Sequence, residues 1–304
     1  MELARLVRTP MKLCSELTIA SPDLVCSSST SKSYISDNST SAFPFLLIKR
    51  CRQHRTPVRL LLELPLLQEL HIRLASEGIS VGLFDLPNQE TLLQDLVKKI
   101  EGFGDVKAIS ITGDVSVEED IKSAIEKVVE VLGDLDIMVA NAGIAPLASI
   151  MDMTNKEWKR VQSINLDGTM YCYKHAALQM IKQGHGGRII GALSLAGKKA
   201  LPNCCAYSTS KFAIRGLTQS AALDLQPYNI TVNTYAPGHI DTPLVRSGVE
   251  KIPAHLRPPS AKPDVVAALV AYLVKPEAYF VTGQSISIDD IKSEVPKLSS
   301  SSEH

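Results

Sequence analysis

The chain is expected to fold as a doubly wound α/β domain, on three observations. From about Pro57 onward, short β-branched runs alternate with helical patterns, as in a parallel sheet covered by helices on both faces. Leu93, Leu96, Val97 and Ile100 form one apolar stripe at helical spacing, and Ile121, Ile125, Val128, Val129 and Leu132 form a second. With 304 residues, 45% of them hydrophobic and 21% charged, the chain has the length and balance to bury a sizeable core.

The elements follow in order. Strands are expected at Val58 to Leu62, Ile79 to Phe84, Lys107 to Ile111, Leu135 to Ala140, Arg188 to Ala192, Thr231 to Tyr235 and Ser285 to Ile288. The two striped segments supply the helices after the second and third of these. Ser116 with Glu119 and Thr154 with Glu157 have the spacing of capping boxes, which satisfy free amide groups at a helix start. Agreement between strand, helix and cap signals supports one sheet domain over residues 57 to 292.

Residues 1 to 56 have a different character. All 17 glycines lie at or beyond Gly78, whereas usage of ~7% would place about five before it. Residues 21 to 41 hold nine serines with no period of 2 or 3.6, which predicts a disordered or aberrant extension. Residues 293 to 304 are expected to form a loose polar tail.

Charge and cysteine content exclude several functions. The 32 basic and 32 acidic residues cancel, and no basic stripe interleaves with aromatics, so nucleic acid is not an expected partner. Apolar runs such as Ala42 to Ile48 fall short of the ~20 residues that span a bilayer, so no membrane span is expected. The six cysteines form no CxxC pair, and His175, His185 and His239 have no ligand spacing with them; no metal site is expected. A reducing, cytoplasmic location follows. The Arg- and Ser-rich start resembles a mitochondrial presequence, but Glu2, Glu16, Asp23 and Asp37 dilute that signature.

The chemistry-bearing constellation is Ser194, Tyr207 and Lys211. Tyrosine and lysine four apart share a helix face. A phenol with an ordinary pKa of ~10 is a poor base near neutrality, and an adjacent ammonium favours its ionised form. Ser194 ends an expected strand, where open α/β sheets place their ligand crevice. Alone, Tyr and Lys one turn apart are an ordinary surface pair.

Their context resembles the classical short-chain dehydrogenase/reductase family over roughly residues 70 to 290. Further motifs occur in the family's order: TGDV with Asp114, Asn141-Ala142-Gly143, Asn165 in SINLDG, and YAPGHIDTP from Pro237-Gly238 to Thr242. Without the resemblance, Asn141 and Gly143 turn the chain, Asn165 caps or kinks a helix, and Pro237-Gly238 is a generic turn.

The resemblance implies a Rossmann-like fold and a set of roles. Asp114 and Val115 would meet the adenine, Asn141 and Gly143 the cofactor, and Ile240 and Thr242, after Pro237 and Gly238, the nicotinamide amide. Asn165, Ser194, Tyr207 and Lys211 would be catalytic, with Tyr207 as general acid/base and Lys211 also on the nicotinamide ribose. Asp85 would accept hydrogen bonds from the adenosine ribose and repel a 2′-phosphate, favouring NAD over NADP; its alternative is to cap the following helix. The substrate would be a small alcohol or ketone, with the surroundings closest to the diacetyl/acetoin reductase branch and a 3-oxoacyl reductase-like activity as rival. Two long helices, over about Asn155 to Gln183 and Ala206 to Leu225, and a homodimer or homotetramer through them are implied too.

The chain departs from the family's pattern in three places. The glycine signature T-G-x-x-x-G-x-G should precede Asp85 by some twenty residues, where LLELPLLQELHIRLAS stands; its glycines would fall near Leu61, Pro65 and Leu67. Leucine side chains fill space that a pyrophosphate needs, and proline removes an amide donor. The segment between Pro243 and Pro263 is short for the family's substrate loop, and Asp289-Asp290-Ile291 stands where Asp-Gly-Gly is usual. A second reading therefore stays open: a pseudoenzyme, or a mispredicted gene product with impaired dinucleotide binding. Codons such as ACT GGA GCT GCC for Thr-Gly-Ala-Ala, read one base late, encode the Leu-Glu-Leu-Pro of residues 62 to 65, an origin that a continuous, conventionally spliced transcript would exclude.

Overall fold

The computed structural model describes residues 45–48, 64–242 and 259–290, with side chains from residue 68 onward. The expected serine-rich extension, the Val58 to Leu62 strand, most of the short 243 to 263 segment and the polar tail lie outside the described residues.

Seven strands form one sheet in the order β3-β2-β1-β4-β5-β6-β7. They are β1 (Phe45–Ile48), β2 (Val81–Asp85), β3 (Ala108–Thr112), β4 (Ile137–Ala140), β5 (Gly187–Ala192), β6 (Ile230–Pro237) and β7 (Ser285–Ile288). The order reverses across the centre of the sheet, as doubly wound folds require. The expected strands from Ile79 onward are all present, with ends shifted by up to two residues.

One strand departs from the parallel arrangement expected. β1, within the expected extension, fills the slot between β2 and β4 and runs antiparallel to both, pairing Phe45 with Phe84 and Ile48 with Ile137. All other pairs are parallel. A central slot left empty would expose two rows of backbone donors and acceptors, which either strand direction satisfies.

The helices are α1 (Leu64–Ala75), α2 (Glu90–Glu101), α3 (Glu118–Leu132), α4 (Asn155–Gln162), α5 (Gly168–Gln183), α6 (Cys205–Leu225) and α7 (Asp264–Leu273). Helices α1, α2 and α7 pack together on one face, and α3, α5 and α6 on the other. The expected stripes face the sheet: Leu93, Leu96 and Ile100 on α2 and Ile121, Ile125, Val128 and Leu132 on α3 are buried, with Val97 and Val129 half-buried. Strands β2 and β4 are buried at every position, because helices cover both faces.

The expected caps divide. Thr154 Oγ1 accepts from the Glu157 amide at 3.1 Å and donates to its carboxylate at 3.2 Å, so Thr154 caps α4, with Glu157 bound to the threonine hydroxyl. The Ser116–Glu119 box does not form: Ser116 Oγ donates to Asp114 at 2.7 Å, Val117 takes the cap position, and Glu119 pairs with Lys122 at 2.6 Å. Asp114 wins because its carboxylate accepts both the Ser116 hydroxyl and the Ser116 amide, at 2.8 Å.

The expected Asn155 to Gln183 helix is continuous but carries a π turn, Ser163–Asp167, between α4 and α5. Gly168, just after it, lies against Val115, and a Cβ there would overlap the valine side chain. Alanine favours helices over glycine by about 1 kcal/mol, yet Gly168→Ala is expected to destabilise the fold by about 1–3 kcal/mol through overpacking. A lowered urea midpoint checks this, and Gly168→Ala with Val115→Ala should recover part of the loss.

Candidate active site

The carboxyl ends of β4, β5 and β6 converge on the N-terminal turns of α6, where the sequence places Tyr207 and Lys211. Lys211 is 3% exposed, and its ammonium donates to the Ala192 carbonyl at the end of β5 at 2.8 Å. The same nitrogen lies 5.6 Å from the centroid of the Tyr207 ring, within cation–π range. Burying a lysine is costly unless its charge meets acceptors, and the strand carbonyl and the aromatic face supply them.

Ser194 follows β5 in extended conformation and opens a single helical turn, Leu195–Gly197. Its hydroxyl accepts from the Ala196 amide at 3.1 Å, which orients it at the half-buried sheet edge. That turn packs on α6 at Gly197, where a Cβ would lie 2.9 Å from the Lys211 carbonyl. Ser194 and Lys211 are thus set on two touching segments.

Asn165 is fully buried in the π turn. Its Oδ1 accepts from the Ile144 amide at 2.8 Å, and its Nδ2 donates to the Ile144 carbonyl and to Ser210 Oγ, both at 3.0 Å. Ser210 in turn donates to the Tyr207 carbonyl at 2.7 Å. The side chain therefore neither caps a helix nor faces solvent; it joins the loop after β4 to α6. Gly143, at the start of that loop, sits beside Asn165 Oδ1 and Lys211 Nζ, at 3.4 and 3.5 Å from the position of a Cβ.

Asn141 is buried after β4, and its Oδ1 accepts from the Tyr235 hydroxyl on β6 at 2.5 Å. Tyr235 and Ser210 are the two site residues that sequence reasoning missed. Ser210 could be found from its place beside Lys211, three residues beyond Tyr207; Tyr235 lies 94 residues from its partner and gives no local signal.

The remaining expected residues line the same sheet edge. Asp85 ends β2, is 5% exposed, and accepts from the Leu86 amide at 2.6 Å. Burial pushes its carboxyl up to about 7, against that amide bond, which lowers it. Asp85 does not cap α2, whose cap position shows no side-chain bond. Asp114 is engaged in its own turn and Val115 is buried against Gly168, so the two side chains expected at the adenine are committed to the fold. Pro237 pairs with Ile288, and Gly238 donates to the Ile288 carbonyl at 2.9 Å. A Cβ on Gly238 would run into the Asp289 carboxylate, so the Asp that opens the unusual Asp-Asp-Ile packs on this glycine. Ile240 and Thr242 are buried, and Ile240 bridges to Ala261.

These residues fit the two ends of a nicotinamide dinucleotide and not its middle. A buried carboxylate at β2 and a lysine, tyrosine and asparagine at β4 to α6 suit ribose hydroxyls and an amide. The pyrophosphate needs a tight glycine turn from the central strand into α1. Instead β1 ends at Ile48, beside the start of β4, no glycine stands in residues 49 to 63, and α1 begins Leu64-Pro65.

Among the described residues no His, Cys, Asp and Glu group could hold a metal ion, and no helix is long and apolar enough to cross a membrane. Residues 70–290 match the family model described as Enoyl-(Acyl carrier protein) reductase. A short-chain dehydrogenase/reductase of Armillaria gallica is 45% identical over 232 residues, covering 72% of this chain and 88% of that protein. L-2,3-butanediol dehydrogenase of Corynebacterium glutamicum is 35% identical, covering 71% and 90%. The crystal structure of acetoin dehydrogenase YohF from Salmonella typhimurium superposes with a TM-score of 0.67 at 31% identity, covering 77% of this chain and 94% of that one. With the sheet order, the Tyr207–Lys211 pair and these matches in agreement, the chain belongs to the short-chain dehydrogenase/reductase family of oxidoreductases.

Proposed function

We propose that the protein interconverts a secondary alcohol and a ketone with NAD(H), Tyr207 moving the proton. The observation that carries the reading is the buried Lys211 ammonium held between the Ala192 carbonyl and the Tyr207 ring. An ammonium in that place stabilises negative charge on the phenol, so Tyr207 can accept the alcohol proton and return it to the alkoxide. Ser194, presented by its turn at the same edge, orients the substrate oxygen. Asn165 holds the loop after β4 against α6 and so keeps Tyr207 and Gly143 in register. The dinucleotide supplies the hydride when bound, with Lys211 and Asn141 at its nicotinamide end and Asp85 at its adenosine ribose.

A diacetyl- or acetoin-like ketone is the substrate first to test, supported by likeness to proteins named for butanediol and acetoin. Exposed Leu178 on α5 and Phe212 and Leu223 on α6 support assembly as a homodimer or homotetramer through those helices.

Three outcomes are expected. Tyr207→Phe should lower kcat/KM for acetoin by about 10²–10⁴-fold while NADH affinity stays near wild type, as read by stopped turnover and fluorescence titration. A full-rate Tyr207→Phe variant would overturn the reading.

NADH affinity of the natural chain should be weak, because no glycine stands in residues 49 to 63 to open a tight phosphate-binding turn. Rebuilding Leu61 to Leu67 as a glycine turn should tighten it, by calorimetry, at least about tenfold, the equivalent of one or two charge-assisted hydrogen bonds at about 1.5–3 kcal/mol each. If the rebuilt chain binds no better, the steric argument fails.

Asp85 sets a pH dependence. Its folded carboxyl, near 7, lies above the ordinary ~4, so the fold holds a proton that the unfolded chain releases. That contribution to stability is present below about pH 4 and is lost as pH rises through about 7. Asp85→Asn should therefore raise the urea midpoint at pH 8 and leave it nearly unchanged at pH 4. In kinetics, preference for NADH over NADPH should grow as pH passes through about 7, where the carboxylate forms beside the ribose, and Asp85→Asn should flatten that rise.

A further inference from the structure

The single turn that presents Ser194 is followed by two lysines in different surroundings. Lys199 is exposed, whereas Lys198 is half-buried. Burial lowers the Lys198 pKa, and the neighbouring Arg215 charge lowers it further. The ammonium thus sits where its charge is disfavoured, and acceptors must hold it there. It donates to the Ser285 carbonyl and, at 2.7 Å, to Ser287 Oγ, both on β7 and 87 and 89 residues further along the chain.

Strand β7 is last in the sheet order. The Gln284 and Ile288 carbonyls accept from the Thr234 and Gly238 amides, so both face β6. Carbonyls alternate along a strand, which turns that of Ser285 away from β6 and toward the edge of the sheet. An edge carbonyl has no ladder partner, and Lys198 supplies one.

The turn itself joins the lysine to the serine. Ser194 Oγ accepts from the Ala196 amide at 3.1 Å, and the Ser194 carbonyl accepts from the Gly197 amide at 2.9 Å. The Lys198 and Lys199 amides donate to the Leu195 carbonyl, at 2.8 and 2.9 Å. Leu195 packs on Gly238, 3.0 Å from the position of a Cβ there. Residues 194 to 198 therefore move together, and the place where β7 holds the ammonium sets the direction of the Ser194 hydroxyl.

We infer that Lys198 is a positioning residue for the reaction: by gripping β7 it fixes the turn that aims Ser194 Oγ at the substrate oxygen. It acts through Ser194 and not on the reacting atoms. A misplacement of about 1 Å in such a group can cost about 10²-fold in rate. The inference rests on the alcohol–ketone reading of the Tyr207 site and adds the residue that holds its serine.

The test compares Lys198→Met, which keeps the apolar stem and loses the donors, with Lys198→Arg, which retains them, in the glycine-rebuilt chain with NADH and acetoin. Lys198→Met should lower kcat by about 10–100-fold with NADH affinity unchanged, and Lys198→Arg should recover most of that loss. In a Ser194→Ala background, where there is no hydroxyl to aim, the same change should cost less than about twofold. Native-state amide exchange by NMR reads the link in the natural chain without cofactor. The Ala196 and Gly197 amides should exchange at least about tenfold faster in Lys198→Met, with Ile189 on β5 unmoved. Equal losses in the two serine backgrounds, or unmoved exchange at Ala196 and Gly197, would overturn the inference, and the exchange result decides where Ser194→Ala turns over too slowly to compare. Faster exchange with no acetoin turnover by any chain upholds the link from Lys198 to Ser194 and counts against the alcohol–ketone reading. Full turnover by Lys198→Met with unmoved exchange does the opposite. If Lys198→Met self-associates in sedimentation velocity while both amides are unmoved, the lysine only guards an edge strand and the inference fails.

Discussion

The side-chain amide of Asn165 is the interaction on which the site depends. It is fully buried, and its three hydrogen bonds go to both backbone groups of Ile144 and to Ser210. An unsatisfied buried amide costs about 1–3 kcal/mol, so the three segments it touches hold one relative position. The π turn makes this reach possible: widening the helix at Ser163–Asp167 allows a side chain in the middle of a long helix to address a loop at the sheet edge. From that anchor follow the start of the loop after β4, the register of α6 through Ser210, and hence the height of Tyr207 and Lys211 over β5.

Among the described residues the central strand, next to β4, has no comparable anchor. In a doubly wound fold the central strand passes directly into the first helix, and that tight turn is also where phosphates bind. Here the central slot is occupied by a strand of the opposite direction, and the chain then needs residues 49 to 63 to reach α1. The sheet itself tolerates the exchange, because hydrogen-bond satisfaction and apolar burial on β2 and β4 depend on a strand being present, not on its direction. Phosphate recognition is less forgiving, since it depends on amide groups at one turn. The hydrogen bonds that hold Lys211, Ser194 and Asn165 do not pass through β1, so they form whichever way that strand runs.

Most of the fold was legible in the sequence because its signals are local. The stripes of α2 and α3 predicted the buried faces, and Tyr207 and Lys211 share a helix face by their spacing alone. What was not legible depends on competition or distance. Ser116 and Glu119 have a capping spacing, but Asp114 sits closer to Ser116 and offers a charged acceptor, so the cap went to Val117. The Tyr235–Asn141 bond joins two strands 94 residues apart, and nothing in YAPG announces it. The reversed β1 could not be foreseen either: Phe45–Ile48 reads as a short apolar run, and such a run carries no mark of the direction in which it will pair.

The sheet edge that holds the site is rich in polar side chains. Asp85 is buried at one end and pushed up to about 7 by that burial, and Asp289 is packed against Gly238 at the other. Between them stand the lysine, tyrosine, serine and asparagines. A ligand lying along this edge meets polar side chains at β2 and again from β4 to β7, on either side of β1. Leu147, Ile150 and Met151 after β4 and Leu201 after β5 are exposed apolar side chains. Groups that recognise a carbonyl discriminate little between ketones, since every ketone has one. Discrimination between ketones therefore falls to whatever side chains contact the groups on either side of the reacting carbon.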